Sequence, residues 1–429
     1  MPTALAEGLA ALVLLGVLAF AVTRPRDLPE AVAAVPGALL VTLLGVVPWR
    51  QAGHQVSAML PTVVFLAAVL MLSHLCDREG LFTWAGDAVA RRSGGRPVRL
   101  LALVFVMASL ITAVLSLDAT VVLLTPVVFA TASRLGMRPT PHVYATTHLA
   151  NSGSLLLPVS NLTNLIALSS AGLSFTRFAG LMALPWVVAV GVEFAVFVGF
   201  FEPDLSVHAT PRDAGEPPPV PAFAITALAL TLAGFVVCSV VHVEPFWAAL
   251  AGVLAITAKR LATGAGRPTG ELAGLGRAAN PWFLAFVLAL AVVVAAVLDH
   301  GLGSALRHVM PHPAHPLGGG LVGLVDLLWL TGLAALLANL VNNLPAVLVL
   351  APLAAPLGPL AVLAVLIGVN IGPNVTYVGS LATLLWRRIL SAHDHDPELG
   401  VFTRLGLRTV PLALVGCTLA LWLVGPLLT

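Results

Sequence analysis

Long apolar runs recur along the whole chain, and short polar segments separate them. A helix needs about 20 apolar residues to cross a hydrocarbon layer roughly 30 Å thick. The pattern therefore predicts an all-α polytopic membrane protein. Single runs occupy about residues 4–22, 31–48, 56–75, 177–201, 221–240, 245–258, 281–298 and 405–428.

Four further runs have a different form. Those at about residues 99–136 and 318–357 are of double length, and those at about 141–172 and 359–386 are interrupted by polar residues. A double-length run brings both of its ends back to the same face of the membrane, whether it forms a re-entrant hairpin or two short spans. These runs therefore add no net crossing, and the topology follows from the remaining spans.

The interruption is clearest in the stretch GVNIGPNVTYVGSLATLLW, residues 368–386. Pro373 lacks an N–H group and clashes with the preceding turn, and glycine is a poor helix former. We therefore expect a helix to end near Gly372 and a new helix to begin near Ser380, with Ser380 as its N-cap. In the earlier interrupted run, Ser160 and Asn161 are the expected caps.

Matching motifs indicate an internal repeat. LCDREGLF at 75–82 is similar to LDHGLG at 298–303, and SLDATVVLLTP at 116–126 is similar to VNNLPAVLVLAP at 341–352. NSGSLLLPVSNLTNL at 151–165 is similar to NIGPNVTYVGSLATL at 370–384. The sequence separation is nearly the same in all three matches, whether it is measured from Asp77 to Asp299, from Asp118 to Asn343 or from Asn151 to Asn370.

Each copy contains five net crossings, so the second copy enters the membrane from the opposite face. Such inverted-topology repeats are typical of secondary transporters, which bind their solute where interrupted helices meet near the midplane. We predict membrane repeats at 1–202 and 221–429 within one transport domain. A Pro-rich cytoplasmic linker, residues 203–220, joins the two repeats.

Composition and charge agree with this topology. Hydrophobic residues make up 59% of the chain, charged residues make up 9%, and the mean hydropathy is +1.00. With the N-terminus outside, only Arg50, Arg177 and Arg307 of the 21 Lys and Arg residues lie outside. We therefore expect a multi-pass protein of the plasma (inner) membrane with both termini outside. Because Arg24 and Arg26 follow the first run, that run is predicted to be a retained span.

Polar residues within the apolar runs are candidates for function. Asp118 and Asn343 each precede a new apolar helix, so each is either a cap or a ligand. An ionised carboxylate in the bilayer is costly, which makes Asp118 the predicted coupling site for a proton or another ion. Glu193 is expected to form interhelical hydrogen bonds. His148 could relay protons, but a hydrogen-bonded core histidine is the commoner case and is the expectation here. Restarted helices also present free N–H groups, which suit an anion or an oxygen-rich solute.

Enzyme signatures are missing from the sequence. It contains no HExxH motif and no Walker loop, and we predict neither a cofactor nor a nucleic-acid partner. Cys76, Cys238 and Cys417 are far apart, which argues against a disulfide framework or a metal site. An intramembrane serine hydrolase that uses His148 and Ser152 is the alternative from another class, but no recognisable oxyanion loop accompanies them.

The motifs SLDATVVLLTP, VSNLTNL, VNNLPAVLVL and IGPNVTYVGSLATLLW resemble the arsenite/antimonite efflux permease family of the ion transporter superfamily. The likeness covers essentially the whole chain in span order. It implies a plasma-membrane carrier with two hairpins and two discontinuous helices around one site. Such a carrier exports As(III) or Sb(III) as a small oxyanion or neutral hydroxide, usually by proton antiport and sometimes with a peripheral ATPase subunit.

The resemblance also implies a set of substrate- or ion-binding residues. Family members often carry Asp at the positions of Asn151 and Asn370 and Lys at that of Asn374, so neutral amides replace three charges here. A sodium/proton antiporter or a dicarboxylate or other anion carrier of the same superfamily is the alternative within transport. The implied site residues are Asp118, Ala119, Thr120, Asn151, Ser160, Asn161, Asn164, Asn342, Asn343, Asn370, Gly372, Thr376, Gly379 and Ser380.

Overall fold

A computed structural model describes residues 3–206, 217–241, 243–311, 320–392 and 395–428. Much of the predicted linker, residues 207–216, lies outside the described residues. In the first half the α-helices are α1 (Thr3–Thr23), α2 (Ala31–Leu43), α3 (Trp49–Arg78), α4 (Leu81–Ser93), α5 (Pro97–Val114), α6 (Leu117–Ala119), α7 (Thr125–Arg134), α8 (Thr140–Ser152), α9 (Leu162–Ala171), α10 (Phe175–Phe200) and α11 (Glu202–Leu205).

The second half is also helical in the part of the chain that the structure describes. Its helices are α12 (Ala222–Val240), α13 (Phe246–Ala262), α14 (Pro268–Ala278), α15 (Pro281–Val297), α16 (Gly303–Val309), α17 (Gly320–Val341), α18 (Asn343–Ala354), α19 (Pro359–Ile371), α20 (Leu381–Ser391) and α21 (Leu399–Leu428). Within the described ranges, nine segments are long and apolar enough to cross a membrane. The predicted all-α polytopic fold is therefore confirmed.

Both double-length runs form helical hairpins. In the first, α5 leads to a tip at residues 115–116, and the chain returns through α6, a π-helical turn at Thr120–Leu124, and α7. In the second, α17 leads through Asn342 directly into α18. Both interrupted runs are discontinuous helices, formed by α8 with α9 and by α19 with α20. The matching motifs LCDREGLF and LDHGLG lie at the ends of α3 and α15 and lead into the short helices α4 and α16, whereas the pattern of apolar runs does not predict α14.

The discontinuous helices lie at the centre of the fold, and this position follows from their composition. Every residue of α19 from Leu360 to Ile371 is buried, as expected for a helix that is apolar on all sides. α19 packs against α9, α17, α18 and α21, and α10 runs along α21. Helices such as α1 and α12 instead expose leucine and valine side chains on one face, which suits contact with lipid.

Candidate functional site

One cavity of about 300 Å³ lies where the two hairpin tips meet the two restarted helices. The first tip contributes Ser116–Ala119 and the second tip contributes Asn343 and Leu344. The N-termini of α9 and α20 close the cavity from the other direction, and α3 and the loop before α2 complete its wall. Polar or charged side chains around it are those of Arg24, Glu30, Ser73, His74, Ser116, Asp118, Ser160, Asn161, Thr163, Asn280, Asn343 and Ser380.

At the first hairpin tip, the cap and the cavity carboxylate are different residues. Ser116 is the N-cap, because its hydroxyl oxygen accepts a hydrogen bond from the Ala119 N–H at 3.2 Å. The prediction that Asp118 caps this helix is therefore wrong. Asp118 is half-buried at the cavity, and among the described residues no hydrogen bond or ion pair reaches its carboxylate. Its oxygens are thus available to a solute or cation.

The second tip is built on Asn342 rather than Asn343, which also corrects the predicted cap. Asn342 has φ 79° and ψ 156°, an extended conformation with positive φ that L-residues rarely adopt. Its Oδ1 accepts from the Leu344 N–H at 3.4 Å, and its Nδ2 donates to the Val378 carbonyl at 3.0 Å. This second bond ties the tip to the break between α19 and α20. Asn343 is the neighbour that lines the cavity.

The first break, residues 153–161, is held by side chains that bond to the backbone. Asn161 caps α9, since its Oδ1 accepts from the Thr163 N–H at 3.2 Å. Ser160 is not a cap, contrary to expectation, because its hydroxyl donates to the Ala113 carbonyl of α5 at 2.6 Å. Asn164 donates to the carbonyls of Ser154 and Leu157 at 2.6 and 2.8 Å. These bonds satisfy backbone groups that the bilayer interior would otherwise leave unpaired.

The second break, residues 372–380, lies where the sequence predicts it. α19 ends at Ile371, and Ser380 caps α20 by accepting from the Ala382 N–H at 3.2 Å. The glycines are required by close packing rather than by unusual dihedral angles. A Cβ on Gly372 would lie 2.7 Å from the Ala335 Cα. A Cβ on Gly379 would lie 2.7 Å from the Pro373 Cα.

Asn370 joins the two breaks. Its Oδ1 accepts from Thr163 Oγ1 at 2.7 Å and from Asn161 Nδ2 at 3.3 Å. Its Nδ2 donates to Asn164 Oδ1 at 2.8 Å and to Ser154 Oγ at 3.3 Å. Because all five residues are buried, these bonds form in a low-dielectric interior where an unpaired amide would be costly.

The contacts between the breaks are reciprocal. Asn151 Nδ2 donates to Thr383 Oγ1 at 3.3 Å, and Asn370 Nδ2 donates to Asn164 Oδ1 at 2.8 Å. The separation in sequence between the two donors equals that between the two acceptors. A self-complementary contact of this kind is what a twofold relation between two copies produces. The inverted orientation of the copies stays a prediction.

The predicted site residues fall into two groups. Six of them line the cavity, and the other eight lie in the wall behind it or in the breaks. For example, Thr120 forms a 2.7 Å hydroxyl contact with Thr112, and Thr376 donates to Asn339 Oδ1 at 2.8 Å. The cavity group is Asp118, Ala119, Ser160, Asn161, Asn343 and Ser380, and the other group is Thr120, Asn151, Asn164, Asn342, Asn370, Gly372, Thr376 and Gly379.

Several residues of this region are not among the predicted site residues. Arg24 and Glu30 form a salt bridge (Nε to Oε1, 3.1 Å) at the cavity, although they precede every motif. Glu193 was expected to form interhelical hydrogen bonds, and it does so with Ser152 and Asn374 of the two discontinuous segments. The signal that could have identified Asn374 was its place in the polar interruption GPNVT. Arg24 and Glu30 carried no such signal.

The fold and the cavity define a multi-pass membrane transporter. A family profile described as "Citrate transporter" matches residues 17–378, and the chain therefore belongs to that family. The resemblance to arsenical pump membrane proteins is also confirmed. The chain is 28% identical to the Escherichia coli (strain K12) arsenical pump membrane protein over 411 residues, which are 91% of this chain and 93% of that protein. It is 28% identical to the Yersinia enterocolitica arsenical pump membrane protein over 410 residues, 93% of this chain and 94% of that protein.

A solved structure shares the fold. The YdaH transporter of Alcanivorax borkumensis superposes with a TM-score of 0.61 at 16% identity, covering 92% of this chain and 96% of that one. Likeness at this identity concerns the fold alone. The family match is what indicates a transporter.

Proposed function

We propose that this protein is a secondary active transporter that exports arsenite or antimonite by alternating access and couples export to an ion gradient. The observation that carries the proposal is the cavity bounded by both hairpin tips and both restarted helices. Binding at the midplane between discontinuous helices is how many secondary transporters hold their solute. The two halves, 1–202 and 221–429, are proposed to act as inverted repeats around it.

The lining favours a small, neutral, hydroxylated solute. Side chains of Ser160, Asn161, Asn343 and Ser380 offer amide and hydroxyl groups that donate and accept hydrogen bonds. None of the three cysteines lines the cavity, and Cys76 and Cys417 are fully buried elsewhere. A carrier must release its load, and oxygen and amide ligands hold trivalent arsenic less tightly than thiolates would. The remaining predicted site residues are proposed to shape this lining from behind.

Asp118 is the proposed coupling residue. Its carboxylate faces the cavity, and no described residue pairs with it. A charge in this position is costly in a membrane unless a proton or cation neutralises it. Exchange of that proton or cation as the cavity changes sides would link solute movement to the ion gradient.

The cavity extends from the breaks towards the side of the membrane that the charge distribution predicts to be cytoplasmic. Arg24 and Asn280, which follow α1 and precede α15, form part of its wall, and the positive-inside rule places both loops inside. The conformation is therefore proposed to be the inward-facing state, in which an exporter loads its solute.

The family description makes an organic anion carrier the second candidate. Restarted helix N-termini and Arg24 at the cavity favour an anion. However, Glu30 pairs with Arg24 at 3.1 Å, so the charges of Arg24, Glu30 and Asp118 sum to one negative charge. This balance disfavours a multiply charged carboxylate and supports the neutral solute.

The proposal is tested in cells that lack their own arsenite exporter. Wild-type protein should restore growth on arsenite and lower the retained arsenic, whereas Asp118→Asn should not. The matched control is Glu244→Gln, since Glu244 is an exposed carboxylate outside the cavity. No resistance with correctly inserted wild-type protein would reject arsenite export. Uptake of labelled citrate into membrane vesicles, under the same conditions, would instead support the anion carrier.

A further inference from the structure

A second carboxylate, Glu193 of α10, lies fully buried behind the cavity wall. Its Oε2 is 2.9 Å from Ser152 Oγ, and its Oε1 is 3.1 Å from Asn374 Nδ2, which donates to it. His148 Nδ1 lies 3.8 Å from Oε1, and the His148 side chain is also fully buried. Neither Glu193 nor His148 lines the cavity, so this cluster is separate from the proposed solute site.

Unpaired polar atoms concentrate on the same stretch of α8. Among the described residues, the buried side-chain atoms that lack a hydrogen-bond partner include Thr147 Oγ1, Asn151 Oδ1 and both ring nitrogens of His148. Phe197 and Phe402 pack on the His148 ring, with centroids 5.1 and 5.5 Å away. The expectation of a hydrogen-bonded core histidine is therefore wrong for the His148 ring. Since buried polar groups are usually paired, two unpaired ring nitrogens beside a carboxylate need an explanation.

The protons around Ser152 provide that explanation. Its hydroxyl has a single proton but two neighbouring acceptors, the His148 carbonyl at 2.9 Å and Glu193 Oε2 at 2.9 Å. If the hydroxyl donates to the carbonyl, a protonated Glu193 must donate to Ser152 Oγ. If it donates to Glu193, the carboxylate is ionised. A neutral His148 would then leave an uncompensated charge in a fully buried site, which is costly, so in this arrangement a protonated His148 faces the carboxylate as counter-charge. The same heavy-atom positions therefore accommodate one proton in either of two places.

We propose that Glu193 and His148 form a buried proton-binding site, distinct from the cavity, that holds one proton in the resting protein. The proton resides on Glu193 Oε2, because two opposite charges held 3.8 Å apart among aromatic rings would be poorly stabilised. When it moves, the O–H bond of the carboxyl breaks, an N–H bond forms at His148, and the Ser152 hydroxyl rotates from the carbonyl to Oε2.

The side chains packed around Glu193 decide whether a group other than His148 could fix its charge. Within the part of the chain that the structure describes, no Lys or Arg forms an ion pair with it. α21 presents the Cys417 thiol, which donates to the Pro185 carbonyl. α8 presents His148, and α5 presents Phe105, which packs on Phe197. The proton count of the cluster is thus set by Glu193 and His148 themselves.

Hydrogen bonds link the proton site to both breaks. Asn374 donates to Glu193 and to the His148 carbonyl, and its Oδ1 accepts from Asn151 Nδ2 at 2.8 Å. Loss of the proton would leave a buried charge and change which bonds Ser152 and Asn374 make. The proton state therefore acts on the contact between the two discontinuous helices. That this proton is coupled to transport rests on the proposed carrier function, whereas the proton site itself does not.

Infrared spectroscopy of the purified protein tests the proton site without any solute. Wild type should show a protonated-carboxyl carbonyl band that is lost in Glu193→Gln and kept in Glu244→Gln. Ser152→Ala, which removes only the hydrogen-bond partner, should shift that band in frequency. The proposal is overturned if the carboxyl bands of wild type and Glu193→Gln are the same, or if Ser152→Ala leaves the band unmoved.

Proteoliposomes then test the coupling. If coupling requires proton exchange at Glu193 as well as at Asp118, Glu193→Gln should keep arsenite exchange across the membrane at equal pH but lose accumulation driven by a pH gradient. Driven accumulation at the wild-type rate would overturn the coupling role and leave the infrared result standing. If wild type itself transports no arsenite, the proposed function fails, and the infrared test of the proton site is unaffected.

Discussion

The two discontinuous helices break at equivalent positions, yet different interactions hold the breaks open. In the first break, Ser160 and Asn164 bond to backbone carbonyls. In the second, Gly372 and Gly379 let backbone segments pack closely, and Asn370 reaches across to the other half. Side chains also bond to backbone carbonyls of the second break, at Gly372 and Val378. The second half thus adds close packing at its glycines to a type of hydrogen bonding that both halves use.

The difference indicates where each half contributes to the site. Amides of both halves bridge them, but Asn370 of the second half makes four such bonds and Asn151 of the first half makes two. The hairpin tips also differ, since Asp118 of the first tip is the charged group and the second tip offers Asn343 and Leu344. An account based on two interchangeable halves would miss both features, and the following variants test them.

The largest loss of stability is expected for Asn370→Ala, and Asn151→Ala is its comparison. Asn370 makes four side-chain hydrogen bonds, and Asn151 makes two. At about 1 kcal/mol for each buried bond, Asn370→Ala should lower the free energy of unfolding by roughly 4 kcal/mol and Asn151→Ala by roughly 2 kcal/mol. Thermal unfolding in detergent measures both. Equal losses would mean that the breaks are joined symmetrically.

A second contrast lies between Gly372→Ala and Gly153→Ala, which occupy equivalent positions in the two matching motifs. A Cβ at Gly372 meets the Ala335 backbone at 2.7 Å, whereas the nearest atom to a Cβ at Gly153 is 3.4 Å away. Gly372→Ala should therefore destabilise by about 1 to 3 kcal/mol. Gly153→Ala should be neutral or stabilising by up to about 1 kcal/mol. Thermal unfolding in detergent measures both changes. A Gly372→Ala protein as stable as wild type would contradict the close packing at Gly372.

The smallest contrast is expected between the two caps. Ser380→Ala removes only the bond to the Ala382 N–H and should cost about 1 kcal/mol. Asn161→Ala removes the same type of cap and also the bonds to Asn370 and Ser154, so its cost should be about twice as large. Hydrogen exchange at the first amides of α20 and α9 reports each loss. Equal protection changes would show that the extra bonds of Asn161 contribute nothing.

The sequence predicts the breaks well because their causes are local. Pro373, Gly372 and Gly379 make a continuous helix unfavourable wherever they occur, and Ser380 has the intrinsic preference of a cap. The length of each apolar run likewise predicts the spans and the two hairpins, since the bilayer thickness is fixed. The helices of the structure confirm the all-α polytopic fold, and the related sequences confirm the family resemblance.

Pairing between distant segments could not be predicted in the same way. Serine is a common helix cap, but the Ser160 hydroxyl instead donates to the Ala113 carbonyl of α5 at 2.6 Å. Asp118 lies two residues after the true cap Ser116, and Asn343 lies one residue after the true cap Asn342. Prediction of a helix start from sequence is uncertain by about that much. The Arg24–Glu30 pair and the Glu193 cluster depend on which helices become neighbours, and no local pattern encodes that.

The proposed solute site is tested most directly by arsenite accumulation in proteoliposomes under an imposed ion gradient. Wild type and the control Glu244→Gln should accumulate arsenite at similar initial rates. Asp118→Asn should lower the rate by about tenfold or more, equivalent to about 1.4 kcal/mol or more of lost interaction. Accumulation by Asp118→Asn at the wild-type rate would contradict the account.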